Sequence, residues 1–378
     1  MTQPDPAVIA DPPAANPRST IHYWKCDRPA AFHGTLGGKG AQERPGLRAL
    51  LADALRAQFA SEPVDLRPAG GQGNHLTFLA GIAGRACFIR VEDGPEQDDY
   101  MEVESRVLDR VRACGVPTPE VLAFDASRAT VPFAWQVLEC IPQPDINQWH
   151  KQGTLDAVAA ARTIGGYIAR WQEIRPHGFG PFRVDVLRAR GTLTGWHANY
   201  PDYYHARLAD HLDFLTKGGF LTPSLAAAIR SEIDRHRALL ELPAPCLVHK
   251  DLAFWNVLGS AREILAVIDW DDCVGGDPLD DLSLLGCFHD GPVLRAAFAG
   301  YAAVRPLPAD YAPRFWLHLL RNMLLKAVIR LGSGYFELTG GFFLLGPGGT
   351  GADLKAATEA RIRLALRGLT DSLNPTDL

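Results

Sequence analysis

Between Cys246 and Asp272 the chain reads Cys246-Leu-Val-His249-Lys-Asp251-Leu-Ala-Phe-Trp-Asn256-Val-Leu258 and then, past a turn, Ile264-Leu-Ala-Val-Ile268-Asp269-Trp-Asp-Asp272. Cys246 to His249 has the pattern of a short strand entering a loop, and Val257-Leu258 of a strand leaving it. Ala261-Arg262-Glu263 turns the chain into Ile264 to Ile268, an apolar run of the length of a buried strand. Pairing of those strands brings Asn256 and Asp269 to the same end of a sheet. Phosphoryl transfer to an alcohol needs such a set: one carboxylate to orient the hydroxyl and accept its proton, and an amide oxygen and a second carboxylate to hold magnesium. His249-x-Asp251 alone would be an ordinary chance match. With Asn256 and Asp269 at these offsets, and Gly276-Asp277-Pro278 and Asp281 following, the functional reading is the better one.

At 378 residues the chain exceeds one usual core, so two lobes are expected. Its 47% hydrophobic and 21% charged residues fit a soluble protein, and a net charge of -5 offers no basic footprint for nucleic acid. Seven cysteines without a Cys-x-x-Cys pair argue against a disulfide framework or a zinc site and for a reducing compartment. The N-terminus lacks a basic region followed by an apolar core. The most apolar helix candidate, Phe315 to Leu331, carries His318, Arg321, Lys326 and Arg330, which suits a core helix and not a membrane span. The expectation is a cytoplasmic protein, monomer or dimer, with no membrane or nucleic-acid partner.

Residues 1–45 form an N-terminal extension, disordered or peripheral, and rich in Pro and Ala at its start. An aromatic and basic stretch, Ile21 to His33, packs on the small lobe or folds over it as a lid. A helix over residues 46–60 follows from Leu47, Leu50, Leu51, Ala54, Leu55 and Phe59. Strands are expected at Val64–Pro68, His75–Ile82, Arg85–Val91, Val121–Phe124 and Phe133–Leu138, with one helix from about Gln97 to Ala113. This makes residues 46–138 an antiparallel N-lobe and 139–144 a hinge. Residues 145–378 form a helical C-lobe, with helices at Leu155–Ile174, Tyr204–Leu215, Ser224–Leu240, Tyr311–Leu331 and Asp353–Leu369, broken by strands only at the catalytic loop.

The stretch from Cys246 to Leu285 resembles the aminoglycoside phosphotransferase and choline kinase group of small-molecule kinases. In that family His-Gly-Asp is followed by Asn, then Ile-Asp-Trp or Ile-Asp-Phe, Gly-Asp-Pro and Asp-Leu. The likeness extends over most of the chain from about Leu66. It implies an α+β, bilobal protein-kinase-like fold. It implies Asp251 as the catalytic residue, Asn256 and Asp269 as ligands of two Mg2+ ions, and His249, Asp277 and Asp281 as loop support. Lys250 stands where the family usually has glycine, as a solvated side chain or one reaching a phosphate or a substrate acid. Asp269 is followed almost at once by Gly276-Asp277-Pro278, which leaves no room for a protein kinase's activation segment.

Gly70, Gly71, Gly73 and Asn74 lie between two strands, where glycine lets backbone amides approach phosphate closely. They resemble the family's phosphate-covering loop, although they also fit an ordinary hairpin turn. Arg90 is the candidate for the strand cation on the α- and β-phosphates, against a solvated strand Arg, and Glu104 for its helix partner, with Glu102 competing. Phe133 to Pro142 resembles the strand-to-hinge segment, so Leu138 would border adenine while the Glu139 carbonyl and Ile141 N–H bind its edge. ATP is the expected co-substrate, with GTP the alternative.

On the acceptor side the candidates are Asp271, Asp272, Trp255, Trp196 and Tyr200, each with a capping or core role as the alternative. His177-Gly-Phe-Gly-Pro-Phe182 is similar to a segment of hygromycin B phosphotransferases. The expected activity is phosphorylation of a hydroxyl on an aminoglycoside-type antibiotic or other natural product. The alternatives are a kinase for choline, homoserine or another amino alcohol, and a degenerate kinase fold that binds ligand without catalysis.

Overall fold

The alternating apolar positions of the first half become a twisted antiparallel sheet in the computed structural model of the chain, which describes residues 43–69, 75–94, 99–339 and 349–377. Helix α1 (Leu47–Phe59) precedes strands β1 (Val64–Pro68), β2 (Leu76–Ile82) and β3 (Arg85–Glu92). Helix α2 (Met101–Ala113) and strands β4 (Val121–Asp125) and β5 (Ala134–Glu139) complete the small lobe, with sheet order β1-β2-β3-β5-β4. Register decides which face each side chain takes, because successive residues point to opposite sides. Phe78 pairs with Ile89 and Ile89 with Val137, and these bury against Leu47, Leu51 and Leu55 of α1. Thr77, Arg90 and Gln136 lie opposite one another on the other face, as do Leu79, Phe88 and Leu138. That second face meets α2, where Gln136 Nε2 donates to Ser105 Oγ at 2.8 Å.

The second half is mainly helical, as the 3.6-residue periodicities require. It begins with α3 (Ile146–Lys151), α4 (Ala157–Trp171), β6 (Phe179–Phe182), α5 (Val184–Arg190) and β7 (Gly195–His197). Then come α6 (Tyr200–His205), α7 (Leu208–Lys217) and α8 (Pro223–Arg235). The segment expected as one helix, Tyr204 to Leu215, is two, because Arg207 takes a left-handed φ of 60° between them. Strands β8 (Cys246–Val248), β9 (Val257–Gly259), β10 (Ile264–Val267) and β11 (Val274–Gly276) carry the loop region. Helices α9 (Asp280–Gly286), α10 (Gly291–Ala302), α11 (Tyr311–Gly332) and α12 (Gly351–Thr370) follow.

Strands outside the expected catalytic-loop region also occur in this lobe. The last four residues of the His177 to Phe182 motif form β6, inside a sheet of order β7-β6-β11-β8, with Phe179 and Phe182 buried. Helices α4 and α10 cross at glycines: a Cβ on Gly165 would stand 1.9 Å from the Ala297 carbonyl oxygen, and one on Gly300 1.8 Å from that of Arg162. Among the described residues, no helix is long and apolar enough to cross a membrane.

Candidate active site

The β9–β10 hairpin sets the geometry. Val257 pairs with Val267, and the Ile268 N–H donates to the Asn256 carbonyl at 3.0 Å, so Asn256 and Asp269 emerge at one end. Asp251 lies in the loop between β8 and β9. Asn256 Nδ2 donates to its backbone carbonyl at 2.7 Å and to its Oδ2 at 3.1 Å. Asp269 has a left-handed φ of 63° and a side chain 45% exposed. Short polar side chains tolerate that conformation best, and it turns the carboxylate out of the strand.

Beneath the loop, Asp281 accepts from the His249 and Lys250 backbone N–H groups at 3.0 and 3.1 Å, and from Trp171 Nε1 at 3.1 Å. Burial outweighs these donors and pushes the Asp281 carboxyl up to about 6. The His249 ring packs against Trp270, with centroids 4.5 Å apart, and burial holds it below its ordinary range. A neutral ring accounts for both of its contacts. Nε2–H donates to the Ile268 carbonyl at 2.9 Å, and Nδ1 accepts the Asp251 N–H at 3.3 Å. Asp277 meets Arg314 Nη2 at 2.8 Å and His318 Nε2 at 3.0 Å. Burial opposes its charge, but His318 and Arg314 hold the carboxyl down at about 2.

Lys250 has a φ of 72°, where a side chain costs energy that glycine avoids. It is not the solvated side chain expected from sequence. Its Nζ donates to the fully buried Asp280 at 2.8 Å and to Asn322 Oδ1 at 2.9 Å. Asn322 Nδ2 in turn donates to Asp280 Oδ1 at 2.8 Å.

From the small lobe, Arg90 Nη1 bonds both carboxylate oxygens of buried Glu104. Its Nη2 lies 3.6 Å from Asp269 and 3.9 Å from Asp271. Burial disfavours the guanidinium charge, yet Glu104, Asp269 and Asp271 outweigh it and raise its pKa. Glu102 faces away, onto Arg188. His75 sits between Glu92 (Nδ1 to Oε2, 2.9 Å) and Asp271 (Nε2 to Oδ2, 3.0 Å). Burial and Arg90 oppose its protonation, but the two carboxylates prevail and raise its pKa. Leu138 is buried opposite Phe88, and the chain leaves the sheet at the Cys140 N–H, which donates to the Ala86 carbonyl at 3.1 Å. Glu139 and Ile141, on either side of Cys140, are half-buried. Gly70, Gly71, Gly73 and Asn74 lie outside the described residues, as does the Ile21 to His33 stretch.

The acceptor-side candidates separate. Asp271 is buried and turned to His75 and Arg90, while Asp272 beside it is half-buried. Tyr200 is in the core, 1% exposed, with its hydroxyl 3.3 Å from His318 Nδ1. Trp196 lies on β7 with its ring under Arg183 at 5.0 Å. Trp255 is in the loop between β8 and β9 and packs edge-on against Phe288, centroids 4.7 Å apart. Lys326, which sequence reasoning treated only as a charge in a core helix, has its Nζ 3.8 Å from Asp251 Oδ1 and 5.0 Å from the Phe288 ring centre.

One available signal went unused. Arg314, His318, Asn322, Lys326 and Arg330 recur every fourth residue on α11, whose remaining residues are mostly apolar apart from Arg321. Such a row forms a continuous ridge. Its first four members meet Asp277, Asp277, Asp280 and Asp251 in turn, and Arg330 bonds Thr358.

Comparisons with known proteins agree with this architecture. The fold matches aminoglycoside phosphotransferase APH(4)-Ia at 18% identity and a TM-score of 0.58, covering 83% of this chain and 98% of that one. A thermostable mutant of APH(4)-Ia in ternary complex with AMP-PNP and hygromycin B matches at 19% and 0.58, covering 85% and 98%. A putative fructosamine-3-kinase from Thermobifida fusca YX-ER1 matches at 22% and 0.58, covering 83% and 98%. No curated protein sequence matches significantly. The sequence profile of the APH phosphotransferase enzyme family matches residues 65–315, two-thirds of the chain and all of the loop just described, so the chain is a member of that phosphotransferase family.

Proposed function

We propose that the chain transfers the γ-phosphoryl group of ATP to a hydroxyl of a small natural product. The observation that carries this reading is the position of Arg90. One guanidinium nitrogen bonds Glu104 and the other lies 3.6 Å from Asp269, so a strand cation, its helix carboxylate and the end of β10 share one cleft. Asp251 orients the acceptor hydroxyl and takes its proton as the oxygen bonds the γ-phosphorus and ADP leaves. Asn256 commits its Nδ2 to Asp251, which leaves its amide oxygen, with the Asp269 carboxylate, as an all-oxygen donor pair that suits Mg2+. Two bound Mg2+ ions would supply neutralisation of phosphate charge.

Arg90 meets the α- and β-phosphates, and Gly70, Gly71, Gly73 and Asn74 cover them. Leu138, the Glu139 carbonyl and the Ile141 N–H hold the nucleotide base. His249, Asp277 and Asp281 fix the loop. The neighbours acting on aminoglycosides and named for fructosamine support a polyhydroxylated acceptor, antibiotic-like or sugar-derived.

The test is an ADP-release screen over aminoglycosides, nucleoside and peptide antibiotics, fructosamines and amino alcohols. Asp251→Asn is expected to lower turnover by roughly 10²–10⁴-fold while leaving AMP-PNP affinity within a few-fold. Undiminished turnover in that variant refutes the assignment.

A further inference from the structure

We infer that Lys326, with the Trp255–Phe288 wall, forms an acceptor subsite for an anionic substituent. The enzyme would therefore prefer hydroxylated acceptors carrying a carboxylate or phosphate over polycationic ones. This rests on the phosphotransferase reading and deepens it. The carboxylates of α9 and its approach, Asp277, Asp280 and Asp281, are fully buried. Each is held by partners: Arg314 and His318, Lys250 and Asn322, and the loop N–H groups with Trp171. None of the three is displayed to a substrate amine.

Lys326 differs from the other cations of its row. Arg314 is engaged by Asp277 at 2.8 Å, and Arg330 donates to Thr358 at 2.7 Å deep in the lobe. The Lys326 ammonium is only 3.8 Å from Asp251 Oδ1, beyond direct hydrogen-bond length, on a side chain 16% exposed. It thus reaches the place where the acceptor hydroxyl must lie and keeps donors for a second anion. Contacts of about 2.8 Å at each end put that anion within roughly 9 Å of the reacting oxygen. Phe288 beneath Nζ and the edge-on Trp255 offer an apolar surface for the carbon skeleton between the two groups.

The experiment compares matched acceptors with the full chain: aldonates against aldoses, fructose–amino acid adducts against their amides, and hexose phosphates against hexoses, with hygromycin B as the polycation. The expected result is a kcat/KM preference for the anionic member of a pair. Lys326→Met should collapse that preference by about 10–100-fold, through KM and with unchanged AMP-PNP affinity, as loss of a charge-assisted contact predicts. Lys326→Glu should invert it. A wild-type preference for the neutral or polycationic member overturns the inference. An equal fall in kcat for both members on Lys326→Met also overturns it, since it puts the ammonium on the transferred phosphoryl group. Absence of turnover over the whole panel overturns it while AMP-PNP still binds. If nucleotide binding is absent too, the phosphotransferase reading itself fails.

Discussion

Replacing Lys250 by glycine separates two opposing effects in the loop between β8 and β9. The left-handed φ of 72° costs a side-chain-bearing residue about 1 kcal/mol, which glycine would relieve. Against this, the substitution leaves Asp280, 0% exposed and held below the usual carboxylate range by Lys250 in spite of burial, with Asn322 and without its cation. Removing one partner of a buried ion pair costs about 3–5 kcal/mol. The net expectation is a loss of about 2–4 kcal/mol, although the family-typical residue has been restored. Lys250→Met, which keeps the backbone strain and also loses the pair, should be less stable than Lys250→Gly by about 1 kcal/mol. Asp280→Asn added to Lys250→Gly should recover part of the loss by removing the unpaired buried charge. The assay is urea unfolding at neutral pH followed by Trp fluorescence, since Trp171 and Trp270 flank His249 next door. A Lys250→Gly protein as stable as wild type, or more so, would show that the Lys250–Asp280 contact contributes less than the strain it requires.

Two further outcomes follow from packing and charge. Gly165→Ala should destabilise by about 3 kcal/mol or more, read as a lower urea midpoint, because its Cβ would lie 1.9 Å from the Ala297 carbonyl oxygen on a neighbouring helix. A midpoint unchanged from wild type would mean that α4 and α10 do not cross there. Asp277, with its carboxyl lowered from 3.8 to about 2, stabilises the fold above the unfolded value, and this contribution disappears as pH falls through about 2. Asp277→Asn should therefore cost about 2 kcal/mol at neutral pH from that shift alone. The gap in urea midpoint between the two proteins should be flat down to about pH 5 and should narrow below about pH 4. A gap that widens as pH falls contradicts the sign.

Much of the fold was readable because its signals are local. Periods of two and 3.6 in apolar residues mark β1 to β5, α1, α4, α8, α11 and α12 within a few residues of where they lie. Strands β6 and β7 were missed because four- and three-residue strands are too short to display a period; the pairing of β6 with β11 and of β7 with β6 makes them strands. The Tyr204–Leu215 helix was over-extended because a single left-handed residue, Arg207, leaves little trace in hydrophobic pattern.

The candidate set Asp251, Asn256 and Asp269, and the family, were legible in the sequence alone, since these residues fall within twenty positions around one short hairpin. Only the tertiary structure decided which charges answer to which. Arg90 chose Glu104 over Glu102, Lys250 went inward to Asp280, Asp271 turned to His75, Tyr200 entered the core, and Lys326 arrived beside Asp251. Apart from Arg90–Glu104, these contacts join residues 30 to 196 positions apart or depend on burial in a shared core. An isolated charged side chain is cheapest in water, and it becomes a partner only when folding removes that water and leaves one neighbour to replace it.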